Sequence, residues 1–271
     1  MVWLFFCSNH NAAKVAYIGG NAMKLKSALI AIGLISLSGF VGAADEHTGH
    51  AAHWGYKGDA GPDRWTTLKP EFGACAGKNQ SPIDVTGTID AKLKAVRFSY
   101  MAGGHEVVNN GHTIQVNVEE GSHIVVDGIQ FNLKQFHFHA PSENHISGKS
   151  YPLEAHLVHA DKDGNLAVVA AVYNEGKANA TIAAAWNQMP KAEGKSTLLT
   201  KISASGLLPK SRDYYRYNGS LTTPPCTEGV RWIVMKKPMT VSKEQLNAFQ
   251  EILGFSNNRP IQPANARPIL E

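Results

Sequence analysis

No stretch of this sequence stays apolar for the ~20 residues that a membrane-spanning helix needs. The apolar run from Ala28 to about Phe40 ends well short of that. Charge of one sign is hardly in excess. The chain carries 26 basic and 22 acidic side chains, a formal +4, so nothing calls for a nucleic-acid partner or a basic membrane-facing patch. There is no internal repeat and no long linker, which removes repeat arrays from consideration. Cysteine is scarce, with three in the chain. What remains is an ordinary globular composition, 43% hydrophobic and 18% charged over 271 residues, enough for one substantial core.

The apolar run has a context of its own. Lys24 and Lys26 form a basic region ahead of it, and Val41 and Ala43 are small residues behind it. That three-part order is a secretory signal peptide over 23–43, cut between Ala43 and Ala44. The alternative is an uncleaved anchor, against which the short run counts. Residues 1–22 do not fit a signal starting at Met23, and they read as an over-called upstream segment. Cleavage removes three lysines and no acids with residues 1–43, so +4 falls to +1. The mature chain is expected to be secreted into the periplasm without a stable membrane anchor, as a monomer or a homodimer.

Cys7 lies in the removed segment, leaving Cys75 and Cys226. In an oxidising compartment an even pair is expected to form a disulfide; two buried thiols are the alternative. Residues 44–52 are polar and small, and with His47 and His50 they read as a mobile lead-in to a domain over 53–271.

From residue 80 the pattern is mainly of short strands. "HTIQVNVEE" (112–120) alternates, and a turn at Asp127-Gly128 separates two strand-like runs. "LEAHLVHA" (153–160) and "LAVVAAVY" (166–173) flank another turn, and "VRWIVMKKPMTV" (230–241) reads as a late strand. Helical signals are confined to 178–189 and 242–253, the second with Ser242 and Gln245 in capping-box spacing. The expectation is one mainly β domain on a large, mostly antiparallel, twisted sheet with short peripheral helices.

Alternate side chains of a strand share a face. In "QFHFH", His137 and His139 therefore point one way, and Phe136 and Phe138 point into a core. In "LEAHLVH", His156 shares a face with Glu154 and Val158. If the two strands are neighbours, three imidazoles converge. Three histidines with a fourth position open suit a catalytic zinc ion. Gln135 and Glu154 stand two residues before a histidine on the same face, where they can fix a ring's tautomer. Plain polar alternation would give the same letters, so the pattern leaves both readings open.

Longer motifs are more specific. "QFHFH", "SENH", "LEAHLVH" and "YNGSLTTPPC", together with "HWGY", "NQSPIDV", "NNGHTIQV" and "NNRPIQP", resemble the α-class carbonic anhydrases, bacterial members in particular. The likeness spans nearly all of the mature chain. It implies the family's fold and its reaction, reversible hydration of CO2 to bicarbonate and a proton by zinc-bound hydroxide, with ester hydrolysis as an incidental activity. It implies His137, His139 and His156 as zinc ligands, with Gln135, Glu154 and the carbonyl of Asn257 as their partners. Thr222 resembles the residue that accepts a hydrogen bond from the hydroxide, Glu143 its partner, and His112 the proton shuttle. Val158, Val168, Leu221 and Trp232 match the apolar CO2 pocket, and Thr223 lines the site. In one departure Asn144 stands where animal members usually have histidine, so His145 is not given that histidine's role. His105, His123 and His159 read as structural or exposed.

Overall fold

A two-residue turn sets the register of the strand that matters most. Asp127 and Gly128 both have positive φ, 51° and 85°. That is the type I′ geometry that suits strand twist, and glycine adopts it without strain. In the computed structural model, which describes residues 53–271, this turn joins β5 to β6. The expected upstream segment, signal peptide and lead-in, with Cys7, His47 and His50, lie outside the described residues.

The strands in chain order are β1 (Asp84–Val85), β2 (Arg97–Ser99), β3 (Ala102–Asn109), β4 (Ile114–Val118), β5 (His123–Val126), β6 (Ile129–His139), β7 (His145–Ile146), β8 (Leu153–Ala160), β9 (Leu166–Glu175), β10 (Gly194–Ser203), β11 (Tyr214–Ser220), β12 (Glu228–Met235) and β13 (Met239–Val241). Among the described residues three α-helices accompany them: α1 (Trp65–Leu68), α2 (Ala180–Trp186) and α3 (Lys243–Leu253). The main sheet runs β10-β3-β4-β6-β8-β9-β12-β11, with β2, β5 and β13 attached at its margins. Its pairings are antiparallel except where β9 meets β12 and β13. The late strand expected over 230–241 is two strands. Lys236, Lys237 and Pro238 break it, because proline has no N–H to give a ladder.

The sheet buries both faces, which explains the near-continuous apolar run of β9. Ala167, Val169, Ala171 and Tyr173 point into the larger core, with Ile182, Leu246 and Phe249 of the two longer helices. Val168 and Ala170 point to the other side, into a second cluster with Ile83, Tyr217 and Trp232. α3 starts with the expected capping box: Ser242 Oγ accepts from Gln245 N at 3.2 Å, and Gln245 Oε1 accepts from Ser242 N at 3.1 Å. A third cluster holds Trp65, Phe72 and the disulfide between Cys75 and Cys226.

One irregularity positions the site. Leu133 pairs with His159, but Gln135 pairs with Val158, so Lys134 is an extra residue in β6. This bulge reverses which residues face the core. Before it Phe131 and Leu133 point inward, and after it Phe136 and Phe138 do. An unbulged strand would turn His137 and His139 into the larger core. Bulges re-aim side chains beside functional sites in this way.

Candidate metal centre and active-site cleft

Strand pairing brings the three histidines together. His137 stands directly across from His156, and His139 across from Glu154. The ring centroids of His137, His139 and His156 are 4.6–5.3 Å apart, and one nitrogen from each lies within 4.8 Å of the others. On the next strand the partner of His156 is Ala170, whose small side chain leaves the imidazole room.

Each ring is fixed from behind by an oxygen. His137 Nδ1 donates to Gln135 Oε1 at 2.8 Å, His139 Nδ1 to the Asn257 carbonyl at 2.7 Å, and His156 Nε2 to Glu154 Oε1 at 2.9 Å. A carbonyl or carboxylate oxygen only accepts, so each of these nitrogens carries the proton. The free nitrogens are then Nε2 of His137 and His139 and Nδ1 of His156. Burial holds the pKa of all three rings down, reinforced for His137 and His156 by neighbouring rings. Neutral imidazoles are the form that binds metal. His139 Nε2 is buried with no hydrogen-bond partner, an orphan that a cation would satisfy. The donor set therefore fits zinc.

Glu154 is itself held. Its Oε2 accepts from the backbone N–H groups of Glu143 and Asn144 at 2.7 and 2.8 Å, and its Oε1 from Asn144 Nδ2 at 2.7 Å. Tyr217 OH in turn donates to Asn144 Oδ1 at 2.9 Å. Burial raises the pKa of Glu154, and the Asn144 bonds oppose that. Asn144 thus takes part in the site while His145 does not. No local sequence pattern marks either the asparagine contacts or Tyr217.

Glu143 is fully buried beside the rings. Its Oε1 accepts from Arg259 N at 2.8 Å, while Oε2 lies 3.5 Å from His139 Nε2 and 3.8 Å from His156 Nδ1. Burial raises its pKa; the Arg259 amide and the Thr222 hydroxyl, which approaches the carboxyl, pull the other way. That approach does not close into a well-formed hydrogen bond, and Oε2 has no partner. Thr222 is buried in a turn where Leu221 N donates to Thr227 O and Cys226 N to Thr223 O. Just before it, a Cβ on Gly219 would stand 2.1 Å from Ser81 Oγ, so only glycine fits there.

The apolar residues form a row. Val158 pairs with Val168, and Val168 with Trp232. All three, with Leu221, belong to the second cluster, and the His156 ring meets Trp232 edge-on at 4.9 Å. A cleft of about 120 Å³ opens over His137 and His139, lined also by Gln135, Thr223, His112 and Tyr56. His112 is half-buried at its rim, stacked on Trp54 with centroids 3.8 Å apart and beside His53 at 4.9 Å. Burial lowers its pKa, and His53 adds to that. The aromatic wall of Trp54 and Tyr56 carries no role in the sequence reading; "HWGY" was its one signal.

Comparison with known proteins decides the family. The profile described as "Eukaryotic-type carbonic anhydrase" matches residues 60–271. The chain belongs to the α-class carbonic anhydrase family. A carbonic anhydrase of Neisseria gonorrhoeae is 46% identical over 90% of this chain and 96% of its own. The α-carbonic anhydrase of Thermovibrio ammonificans, solved with the inhibitor sulfanilamide, is 52% identical with a TM-score of 0.80, covering 81% of this chain and 99% of its own. A hyperthermostable carbonic anhydrase from a hydrothermal vent chimney is 56% identical with a TM-score of 0.79, covering 80% and 99%. The chain is accordingly a zinc enzyme, a lyase acting on CO2 and bicarbonate, with the mainly β fold of this family.

Proposed function

We propose that His137, His139 and His156 hold the zinc ion, and that the cleft above them is where CO2 is hydrated reversibly to bicarbonate and a proton. The observation that carries this reading is the orientation of the three rings. Each is pinned by an acceptor on one nitrogen and turns the other toward a common point. Zinc, when bound, brings the pKa of water toward neutrality and supplies positive charge beside the forming bicarbonate, behaviour for which carbonic anhydrase is the standard example.

The protein's own groups do the rest. Thr222 can give its one hydroxyl proton to Glu143 and must then accept from the attacking oxygen, turning a lone pair toward the substrate. Arg259 N and the buried setting keep the Glu143 carboxyl aimed for that. CO2 has no net charge, so Val158, Val168, Leu221 and Trp232 give it an apolar seat, with Thr223 at the lining. The released proton has to reach buffer. His112 sits at the cleft rim, where burial lowers its pKa from the ordinary histidine value, and histidine is the side chain suited to carrying a proton near neutral pH. Ester hydrolysis in the same cleft is an incidental activity.

The Cys75–Cys226 disulfide supports an oxidising compartment, here the periplasm, reached through a signal peptide over 23–43, with the catalytic domain over 53–271. Among the described residues no helix is long and apolar enough to cross a membrane. Metal analysis with stopped-flow CO2 hydration on the mature protein tests the reading. One zinc per chain with fast hydration is expected, and a metal-free or inactive wild type would overturn it.

A further inference from the structure

A buried arginine stands behind the metal centre. Arg259 is 3% exposed. Its Nη1 donates to Gln80 Oε1 and to the Ser81 carbonyl, both at 2.8 Å, and its Nη2 donates to the Cys75 carbonyl at 3.0 Å. The guanidinium lies over the buried Trp65 ring, 5.3 Å from its centroid. These partners all belong to the N-terminal part of the domain, more than 170 residues away in sequence. Among the described residues no carboxylate pairs with the guanidinium directly. Burial lowers its pKa to about 10, which leaves it charged at neutral pH.

The same residue touches the site through its backbone. Arg259 N donates to Glu143 Oε1, and two residues earlier the Asn257 carbonyl holds His139 Nδ1. The Asn257 side chain also accepts from Ala140 N and donates to the carbonyls of His112 and Phe138. The segment 257–259 is outside the regular elements, so no sheet ladder fixes it. It grips one metal-facing histidine and the acid beside it, and its far end is bolted down by the guanidinium.

We infer that Arg259 is a positioning residue of the metal centre. Its side chain locks segment 257–259 onto the Cys75–Ser81 stretch, and through that segment sets the placement of His139 and Glu143. Arginine suits the task because its planar fork reaches two neighbouring acceptors and a third beside them, while lysine offers one compact point charge. The inference rests on the zinc-hydration reading above. A residue that merely stabilised the fold would lower the melting temperature and leave the metal centre unchanged in molecules that remain folded.

The test uses the full mature protein with Arg259→Met and Arg259→Lys, and zinc affinity measured by chelator competition on folded apoprotein. Altered partners behind a ligand typically cost 10- to 100-fold in affinity, so Arg259→Met is expected to weaken zinc binding about tenfold. Arg259→Lys should fall between it and wild type, and it decides the matter alone if Arg259→Met does not fold. The second readout is a double-mutant cycle on kcat/KM of zinc-saturated enzyme. Arg259→Met should cost about tenfold in the wild-type background and much less on Glu143→Ala, where no carboxyl remains to be placed. Wild-type zinc affinity in the folded variants, or equal losses in both backgrounds, overturns the inference while leaving the hydration reading standing. A wild-type protein that bound no zinc would overturn both.

Discussion

His137 and His156 face one another across β6 and β8 with their rings nearly perpendicular, 87° between planes and 5.3 Å between centroids. Strand register alone creates that pair, and the acceptors behind the rings, Gln135 Oε1 and Glu154 Oε1, leave one nitrogen of each free for an ion. Removing one should therefore remove the site. His156→Ala is expected to abolish stoichiometric zinc binding and CO2 hydration together, read by metal analysis and stopped-flow on one sample. A variant that kept one zinc per chain at full activity would show that the ion sits elsewhere. The fold should survive, because one face of β8 stays packed through Leu153, Ala155 and Leu157.

Thr222 makes a different prediction, since it does not hold the ion. Thr222→Ala should keep one zinc per chain and lose about 10²-fold in kcat/KM, the order expected when a reacting atom is no longer aimed. Thr222→Ser keeps the hydroxyl and should recover most of that loss. Equal activity in Thr222→Ala and wild type would mean that the hydroxyl orients nothing.

Much of this arrangement was readable in the sequence, but unevenly. The alternation around His137 and His156 and the capping box at Ser242 are local patterns, and the structure carries both as expected. β10 carries no strand signal, because "GKSTLLTKIS" at the sheet edge exposes most of its residues and lacks apolar alternation. Lys134 looks like any surface lysine, although the bulge it makes decides which way the histidines face. Arg259 reaches partners 116 and 184 positions away, and no periodicity encodes contacts at that range. Local patterns give Thr222, Glu143 and His112 no role; the roles proposed for them are what the family resemblance implies.

For His112 the informative variable is buffer. His112→Ala should slow turnover by an order of magnitude or more in weak buffer, where a positioned base matters most. Added imidazole should restore it, because a free base can then carry the proton. CO2 affinity should be unchanged, as His112 stands at the rim and outside the apolar row. Unaltered turnover in weak buffer would remove His112 from the proton path.

The disulfide closes 151 residues and sits in its own cluster with Trp65 and Phe72. Chain-entropy reasoning assigns a loop of that length on the order of 4–5 kcal/mol. Cys75→Ser with Cys226→Ser should lower the denaturation midpoint by a corresponding amount in guanidinium titrations. Reducing agent should act on the wild type alone. Midpoints that coincide would mean that the unfolded chain is not restrained by the bridge.

His159 gives a pH dependence whose sign follows from its burial. On the side of β8 away from the cleft, its ring stacks on Tyr100, whose hydroxyl is 2.8 Å from Nε2, and desolvation lowers its pKa to about 3. In the unfolded chain a histidine titrates near 6.5. Between those values the unfolded state binds a proton that the native state refuses. The contribution of His159 to stability is therefore complete above pH 6.5 and declines as pH falls toward 3, by up to ~1.4 kcal/mol per pH unit. Urea denaturation of the zinc-loaded enzyme at pH 7, 6 and 5 should show this loss. His159→Gln keeps a polar partner for Tyr100 but has no proton to gain, so its stability should fall less steeply with acid even if it is lower at pH 7. Parallel curves for the two proteins would assign the acid sensitivity to other groups.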